Sequence, residues 1–416
     1  MKAREYAWEV LKQTYGNQSH TNELLRQRPS ELSDVDWNLA VKIIYGTLSN
    51  YRNLRYQWAE FLTGKLPNRI SLIMDMALYQ FIYLDRVPEY AVINESVELA
   101  KQDPHGNYAG LVNAILRNYL RRGYKEPVGN ENEVIAITYS LPDWILALWQ
   151  AHYGKEETLK LAKVSNQAKD LVYRVKNPQD LKEILQEYPQ VRKGLLADNA
   201  LIIHEDPLNF PPYKKGLLAI QDEASQLVGQ WVIEDPAEKI LDLCAAPGTK
   251  SVQIAQLNPT SKITAVDIVR SRVEMIQQAK EDNKLTNLYP LTEDGTKISQ
   301  RFSLDSFDTV LVDAPCSGLG VLRDKPDLKI HLKPEDLDEL VVTQKELLSE
   351  ASKMVKPNGY LIYSTCTLDK KENEKQIENL LKNAPEFKLV KQRTIFPEEY
   401  DTDGFYLAKL KKEVLQ

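Results

Sequence analysis

Cysteine is scarce in this chain. Three occur in 416 residues, Cys244, Cys316 and Cys366. They are far apart, odd in number, and form no C-x-x-C pair. That excludes a disulfide framework, gives no reason to expect a metal, and fits a reducing compartment. No uninterrupted apolar run is long enough to span a bilayer. The opening MKAREYAWEV is charged and amphipathic and is not a signal peptide. The expectation is a cytoplasmic protein with no membrane partner. Internal repeats and low-complexity tracts are also missing.

The net charge of −6 discourages a nucleic-acid reading until its distribution is considered. Residues 1–127 hold 16 Lys/Arg against 14 Asp/Glu, a balance of +2, and the remainder carries −8. Arg117, Arg121, Arg122 and Lys125 cluster at the end of that first part. A local basic patch can hold phosphates on an acidic chain. A solvated helix end explains the same charges equally well.

Hydrophobic periodicity divides the chain in three. Residues 1–127 read as an all-α bundle: Leu39, Ile43, Ile44 and Leu48 keep a helical stripe behind a cap at Ser33 or Asp34, and Arg121-Arg122-Gly123 suits a helix C-terminus. Residues 128–215 begin as a linker, return to a helical pattern from Val134 to Val164, and then read as a small α+β element, with strands at Leu171–Val175 and Leu201–His204. The Pro-rich DPLNFPPYKKG from Asp206 marks the next boundary. Residues 216–416 alternate strand and helix. Strands are expected at Ile240–Leu243, Ile263–Val266, Asp308–Val312, Tyr360–Tyr363 and Phe405–Leu410. A long helix is expected at Glu335–Val355, stopped by Pro357-Asn358-Gly359. Such alternation implies a mostly parallel sheet with helices on both faces.

Polar residues gather where these strands end, which is where open α/β sheets bind ligands. LDLCAAPGTK places Cys244, Ala245, Ala246, Pro247, Gly248, Thr249 and Lys250 on a small-residue turn into a helix. A pyrophosphate site would want G-x-G-x-x-G. Gly248 is the only glycine here, and Pro247 removes a donor. Asp267 ends the next strand, where a carboxylate can accept ribose hydroxyls, and Asp294 comes after it, where one can take an adenine amino group. Together these suit S-adenosylmethionine, a nucleoside without phosphates. Singly, each Asp is more commonly a turn or cap residue.

Two thiols also lie at strand ends: Cys316 in DAPCSG, behind Asp313, and Cys366 in STCT. Cys316, met first, is the first candidate nucleophile. Free cysteines are usually small buried residues, which suffices for Cys244. A chemistry that uses two thiols is methylation of carbon 5 of a pyrimidine. A thiolate adds to carbon 6, which makes carbon 5 nucleophilic. A second group assists loss of the carbon-5 proton, and a carboxyl such as Asp313 offsets charge on the ring.

QDEASQLV from Gln221, LDLCAAPGTK, AVDI at Asp267–Ile268, DG at Asp294–Gly295, DAPCSGLGVLRDKPD from Asp313, STCT from Ser364 and DGFYLAKL from Asp403 together resemble the bacterial RNA cytosine-C5 methyltransferases of the NOL/NOP2/Sun family. The pairing of DAPCSG with a later TCT is highly specific. The first 127 residues resemble the RNA-binding NusB bundle, and the stretch around LVYRVKN resembles a small RRM-like piece. The resemblance implies a NusB-like domain (1–127), an RRM-like subdomain (128–215) and a Rossmann-like class I S-adenosylmethionine-dependent methyltransferase domain (216–416).

It further implies that Cys366 is the nucleophile, that Cys316 assists product release, and that Asp313 positions base and cofactor. Residues Cys244 to Lys250, Asp267, Asp294 and Asp313 would hold the cofactor. The implied partner is a hairpin-loop cytidine of 16S rRNA, with Arg117, Arg121 and Arg122 as candidate RNA contacts. The family often has Gly where Thr249 stands, a small change at a position where a hydroxyl can cap a helix. A monomer is expected. A tRNA or other rRNA target, a DNA cytosine methyltransferase, and a non-catalytic RNA-binding protein are the alternatives. The DNA enzyme would use the Pro-Cys thiol and would not need Cys366. A non-catalytic protein would show loss of Cys366, Asp267 or the Pro-Gly turn, and all are present.

Overall fold

The computed structural model describes residues 2–17, 20–203 and 209–414. His204 and the start of the Pro-rich stretch lie outside the described residues. The chain forms two compact units: residues 1–167 with 322–332, and residues 168–321 with 333–416.

The first unit is helical. Its helices include Ala3–Asn17, Asp34–Ser49, Tyr51–Trp58, Asn68–Tyr83, Glu89–Lys101 and Ala109–Arg122. Asn68–Tyr83 is the central one, buried along almost its whole length from Ile70 to Leu78. A helix apolar on nearly every side must lie inside a bundle. Its one internal carboxylate, Asp75, is satisfied by Trp58 Nε1 at 2.8 Å and Arg55 Nε at 3.1 Å. Ser33 caps Asp34–Ser49 through the N–H of Asp36 at 3.1 Å.

Two helices beyond position 127, Glu131–Thr138 and Asp143–Val164, pack in the same unit. The compact unit therefore extends past position 127 to 167. Asn130, which reads as linker in the sequence, forms a capping box with Glu133 and starts the first of these helices. The segment 322–332 also belongs here, although it continues the DAPCSG motif in sequence.

The second unit begins with a small antiparallel sheet of β1 (Leu171–Val175), β2 (Arg192–Lys193), β3 (Ala200–Ile203) and β4 (Leu218–Ile220), in the order β2-β3-β1-β4. The expected boundary at 216 cuts off its fourth strand, which is too short for an alternation signal. Seven further strands come after it: β5 (Lys239–Asp242), β6 (Lys262–Asp267), β7 (Leu288–Thr292), β8 (Phe307–Asp313), β9 (Val355–Thr365), β10 (Phe387–Ile395) and β11 (Phe405–Lys412). Their order is β10-β11-β9-β8-β5-β6-β7. Pairing is parallel from β9 through β7, and β11 is antiparallel to both β9 and β10.

The apolar runs of the central strands are buried on both faces. Leu241, Val310 and Val312 enter one core, and Ile240 and Leu311 enter the other. This is why they read as continuous rather than alternating. Pro357-Asn358-Gly359 does not stop the long helix, which runs Pro334–Met354 and passes directly into β9. The triplet forms an irregularity inside that strand, where pairing shifts between Phe307↔Val355 and Thr309↔Tyr360 and Asn358 takes a φ of 66°. Turn residues signalled a bulge here, not a cap.

Candidate active site

Strand order reverses at β5, which has β6 on one side and β8 on the other. The ends of β5, β6, β8 and β9 therefore converge on one crevice. At the end of β5, Leu243 N–H donates to Leu311 O at 3.0 Å and Ala245 N–H to Val266 O at 2.9 Å. These bonds seat the small-residue turn between the neighbouring strands. Gly248 closes it with a φ of 104°, and a Cβ there would stand 3.3 Å from the Ile276 backbone. Only glycine meets both demands. Gly248 is also the N-cap of Thr249–Leu257, without a side-chain cap. Thr249 is thus the first helical residue and does not take the capping role expected of it.

Lys250 reaches Asp313, with Nζ 2.7 Å from Oδ2 and the ammonium over the Phe405 ring at 5.4 Å. Burial pulls its pKa down, but Asp313 and then Cys366 outweigh this and leave it raised. The other oxygen of Asp313 accepts the Ser364 hydroxyl at 2.7 Å. Three residues beyond β8 and one beyond β9, the thiols meet: Cys316 Sγ lies 3.3 Å from Cys366 Sγ. The hydrogen bond to Cys366, and then burial, push the Cys316 thiol well up. The Lys250 ammonium interacts with Cys366 as well as with Asp313. Cys244 is a separate thiol, pushed up by burial.

Glycine again allows a close approach behind the thiols. Gly320 N–H donates to Cys366 O at 3.0 Å, and Gly404 N–H donates to Gly320 O at 2.8 Å. A Cβ on Gly320 would overlap Gly404 O and sit 2.9 Å from Cys366 O. Asp222, from the QDEASQLV stretch, receives Thr402 Oγ1 at 2.7 Å and Asp403 N–H at 3.2 Å. It thereby joins two stretches that sequence presents as separate motifs.

Asp267 ends β6 and accepts the Val269 N–H at 2.9 Å. Beside it Ile268 is 63% exposed, an apolar face at the crevice that the sequence reading passed over. Asp294 accepts Thr296 N–H at 3.0 Å and its hydroxyl at 2.6 Å, and pairs with Lys297 at 3.2 Å. These bonds, the Thr296 hydroxyl first, hold its carboxyl below the usual range.

A more informative carboxyl was missed. Asp242, the last residue of β5, is fully buried, accepts the Ser251 hydroxyl at 2.5 Å, and has no partner on Oδ1 among the described residues. Burial pushes it up to about 7, against the lowering effect of Ser251. A buried carboxyl oxygen without a donor fits a cationic ligand at this strand end. It is the observation here that best suits the ammonium of a bound S-adenosylmethionine. Its sequence signal was its place directly before Leu243-Cys244.

The candidate RNA arginines lie in the first unit. Arg117 and Arg121 are exposed and line a groove of about 490 Å³ with Glu89 and Tyr90. Arg122 is turned to its own fold: it pairs with Glu60, donates to Gln57 O at 2.6 Å, and stacks 4.9 Å over Phe61. Among the described residues no helix is long and apolar enough to cross a membrane, and no cluster of metal-ligating side chains occurs.

Comparison with known proteins agrees with this arrangement. Residues 230–411 match the family model "16S rRNA methyltransferase RsmB/F", and residues 1–121 match the NusB family. The chain is 33% identical to "Probable ribosomal RNA small subunit methyltransferase B" of Bacillus subtilis (strain 168), covering 99% of this chain and 98% of that one. It is 30% identical to "Ribosomal RNA small subunit methyltransferase B" of Shewanella oneidensis, with 94% of each covered. The crystal structure of PH0851 shares the fold, with a TM-score of 0.81 at 23% identity over 99% of this chain and 98% of that chain. With a NusB-type helical bundle, a Rossmann-like domain and both thiols at its strand ends, this chain belongs to the RsmB/F family of 16S rRNA methyltransferases.

Proposed function

We propose that the protein methylates carbon 5 of a cytidine in an unstacked loop of 16S rRNA, with Cys366 as nucleophile. The observation that carries this is the 3.3 Å thiol pair at the ends of two adjacent parallel strands, with the Lys250–Asp313 ion pair beside it. A single buried thiol would suit packing; two thiols in contact suit a reaction that needs one sulfur to attack and a second group to assist proton removal.

The Cys366 thiolate forms a bond to carbon 6 of the cytosine, and the displaced electron pair moves toward the ring nitrogen. Asp313, fixed by Lys250 and Ser364, is placed to hydrogen-bond the ring there. S-Adenosylmethionine, when bound, supplies the methyl group that carbon 5 takes. The turn Cys244 to Lys250, with Asp242, Asp267, Ile268 and Asp294, would hold it. A thiolate at Cys316 then takes the carbon-5 proton, the electron pair of that C–H bond restores the ring double bond, and the bond from carbon 6 to the Cys366 sulfur breaks, releasing that sulfur as thiolate. The target base has to leave its stack to reach such a crevice. Arg117 and Arg121 are exposed basic groups of the first unit that could meet phosphates. The chain acts as a monomer in this reading.

The test uses S-adenosylmethionine and 16S rRNA transcripts. Cys366→Ala is expected to abolish methylation. Cys316→Ala is expected to accumulate a protein–RNA adduct that survives denaturing gels. Methylation by Cys366→Ala, with an inert and adduct-free Cys316→Ala, would reverse the two roles. Sequencing the methylated RNA identifies the cytidine, and a modified tRNA in its place would establish the alternative substrate.

A further inference from the structure

We propose that Glu372 is the positioning residue that sets the spacing of the two active-site thiols. It lies between β9 and the helix Glu374–Asn383 and is fully buried. Its carboxylate accepts the Ser317 N–H at 2.9 Å, the Ser317 hydroxyl at 2.5 Å, the Gln344 side-chain N–H at 2.9 Å and the Thr367 hydroxyl at 3.4 Å. The Ser317 and Thr367 hydroxyls are themselves 2.7 Å apart. Ser317 follows Cys316 in the chain, and Thr367 follows Cys366.

The preceding neighbours are held by the same group of side chains. Gln344 donates to Pro315 O at 2.9 Å, just before Cys316. Asn373, adjacent to Glu372, accepts the Thr365 hydroxyl at 2.5 Å and donates to Thr367 O at 2.9 Å, on either side of Cys366. Tyr363 ties the Glu372 backbone to β9 by donating to its carbonyl at 2.6 Å. Both residues flanking each cysteine are therefore anchored to one buried carboxylate or its immediate partners. The Ser317 N–H, the Ser317 hydroxyl and a Gln344 N–H all donate to it, so the carboxylate acts purely as an acceptor, the role of the ionised form. Burial opposes this and raises its pKa, and Ser317 and Gln344 pull it back.

The bonds of Glu372 fall on the residues next to the cysteines, so its action passes through the chain on each side of them. A buried anion with matched donors is rigid and costly to disturb, which suits a part that holds two loops in register. Small errors in such spacing are expensive to a reaction that uses both thiols in turn.

Two readouts test this. The first is binding of phenylarsine oxide, a trivalent arsenical that bridges two thiols only when they are close. The second is the split of kcat and KM for RNA methylation. The kinetic arm rests on the two-thiol reading above; the arsenical arm does not, so the two can fail separately. Glu372→Gln places an N–H against donors and is expected to weaken arsenical binding by at least ~10-fold, because bivalent capture is lost. It is expected to lower kcat by about 100-fold with KM within about twofold. Glu372→Asp, which keeps the charge, is expected to recover part of both. If Glu372→Gln is too unstable to purify, Ser317→Ala carries the same readouts, since it removes the hydroxyl link and leaves the carboxylate its other donors. Arsenical affinity and kcat both at the wild-type level in a folded Glu372→Gln, or in Ser317→Ala, would overturn the proposal.

Discussion

Asp313 and Ser364 stand opposite one another in the register of β8 and β9, and the Ser364 hydroxyl donates to the Asp313 carboxylate at 2.7 Å. Lys250 takes the other carboxylate oxygen. Parallel pairing thus aims the carboxylate from one strand and fixes it from the next. The same step in the chain carries the thiols to each other, since Cys316 and Cys366 leave those two strands.

Lys250→Met tests this aiming. It leaves Asp313 with Ser364 as its remaining bonded side chain. Asp313 is about a quarter exposed in its side chain, so the loss of stability should fall between the ~1 kcal/mol of a surface pair and the ~3–5 kcal/mol of a broken buried one. Denaturant unfolding measures that loss. Methylation is expected to fall far more than stability, and an active Lys250→Met would show that the cation serves the fold alone.

Gly320→Ala tests the close approach behind the thiols. The added Cβ has no room beside Gly404 O and Cys366 O. Overpacking against backbone costs about 1–3 kcal/mol, read as a lower melting temperature. The displacement falls on the Cys366 backbone, so activity should drop by about 100-fold or more. An Ala variant with wild-type kcat would mean that this backbone contact yields freely.

Asp242→Asn tests the orphaned carboxyl oxygen. Burial pushes Asp242 up to about 7 from 3.8. Between those values the folded ligand-free protein binds more protons than the unfolded chain, so its stability falls as pH rises from about 4 to 7. Asn removes that slope. A cationic ligand needs the carboxylate, so binding of S-adenosylmethionine should strengthen as pH rises through 7. In Asp242→Asn binding should be weaker by ~10-fold or more. Calorimetric titrations at pH 6 and pH 8 decide this, and equal affinity in both proteins would remove Asp242 from the cofactor site.

Lys329 offers a pH test in the first unit. Its Nζ is buried beside Ser49 O at 3.4 Å, Tyr139 O at 3.3 Å, Ser165 Oγ at 3.5 Å and Asn166 Oδ1, and no carboxylate is bonded to it among the described residues. Burial pushes its pKa down to about 7 from 10.5. Over that range the unfolded chain binds more protons, so stability from this site increases as pH rises from about 7 to 10.5. The difference in unfolding free energy between wild type and Lys329→Met should therefore grow in favour of wild type over that window and stay flat below it. A constant difference would show that the four oxygens keep the ammonium charged.

Legibility varied with the kind of signal. The strands β5, β6 and β8 were readable because apolar runs buried on both faces have one periodic meaning. β10 was missed: its residues from Lys388 to Lys391 are mostly exposed, so it lacks an apolar stripe and exists because β11 offers an edge. The start of the helix at Glu131 was hidden because a capping box and a linker use the same residue types. Gly, Asn and Pro mark a turn but not the element on its far side, and the same ambiguity hid the bulge at 357–359. In the site, the motif residues stood out by their position at strand ends. Asp242 and Glu372 did not, since an acidic residue in sequence carries no mark of burial.

The sequence by itself determined which chemistry is available: two thiols, a carboxylate beside one of them, and a phosphate-free cofactor turn, each attached to a strand end by local pattern. It also determined the class of fold, because periodicity is a local property. Tertiary structure decided the pairings. That Cys316 and Cys366 touch, that Lys250 serves Asp313, and that Glu372 bonds to both cysteine loops depend on β8 and β9 being neighbours. Residues 50 positions apart meet there through hydrogen bonds formed across the sheet, and no local pattern records which strands will pair.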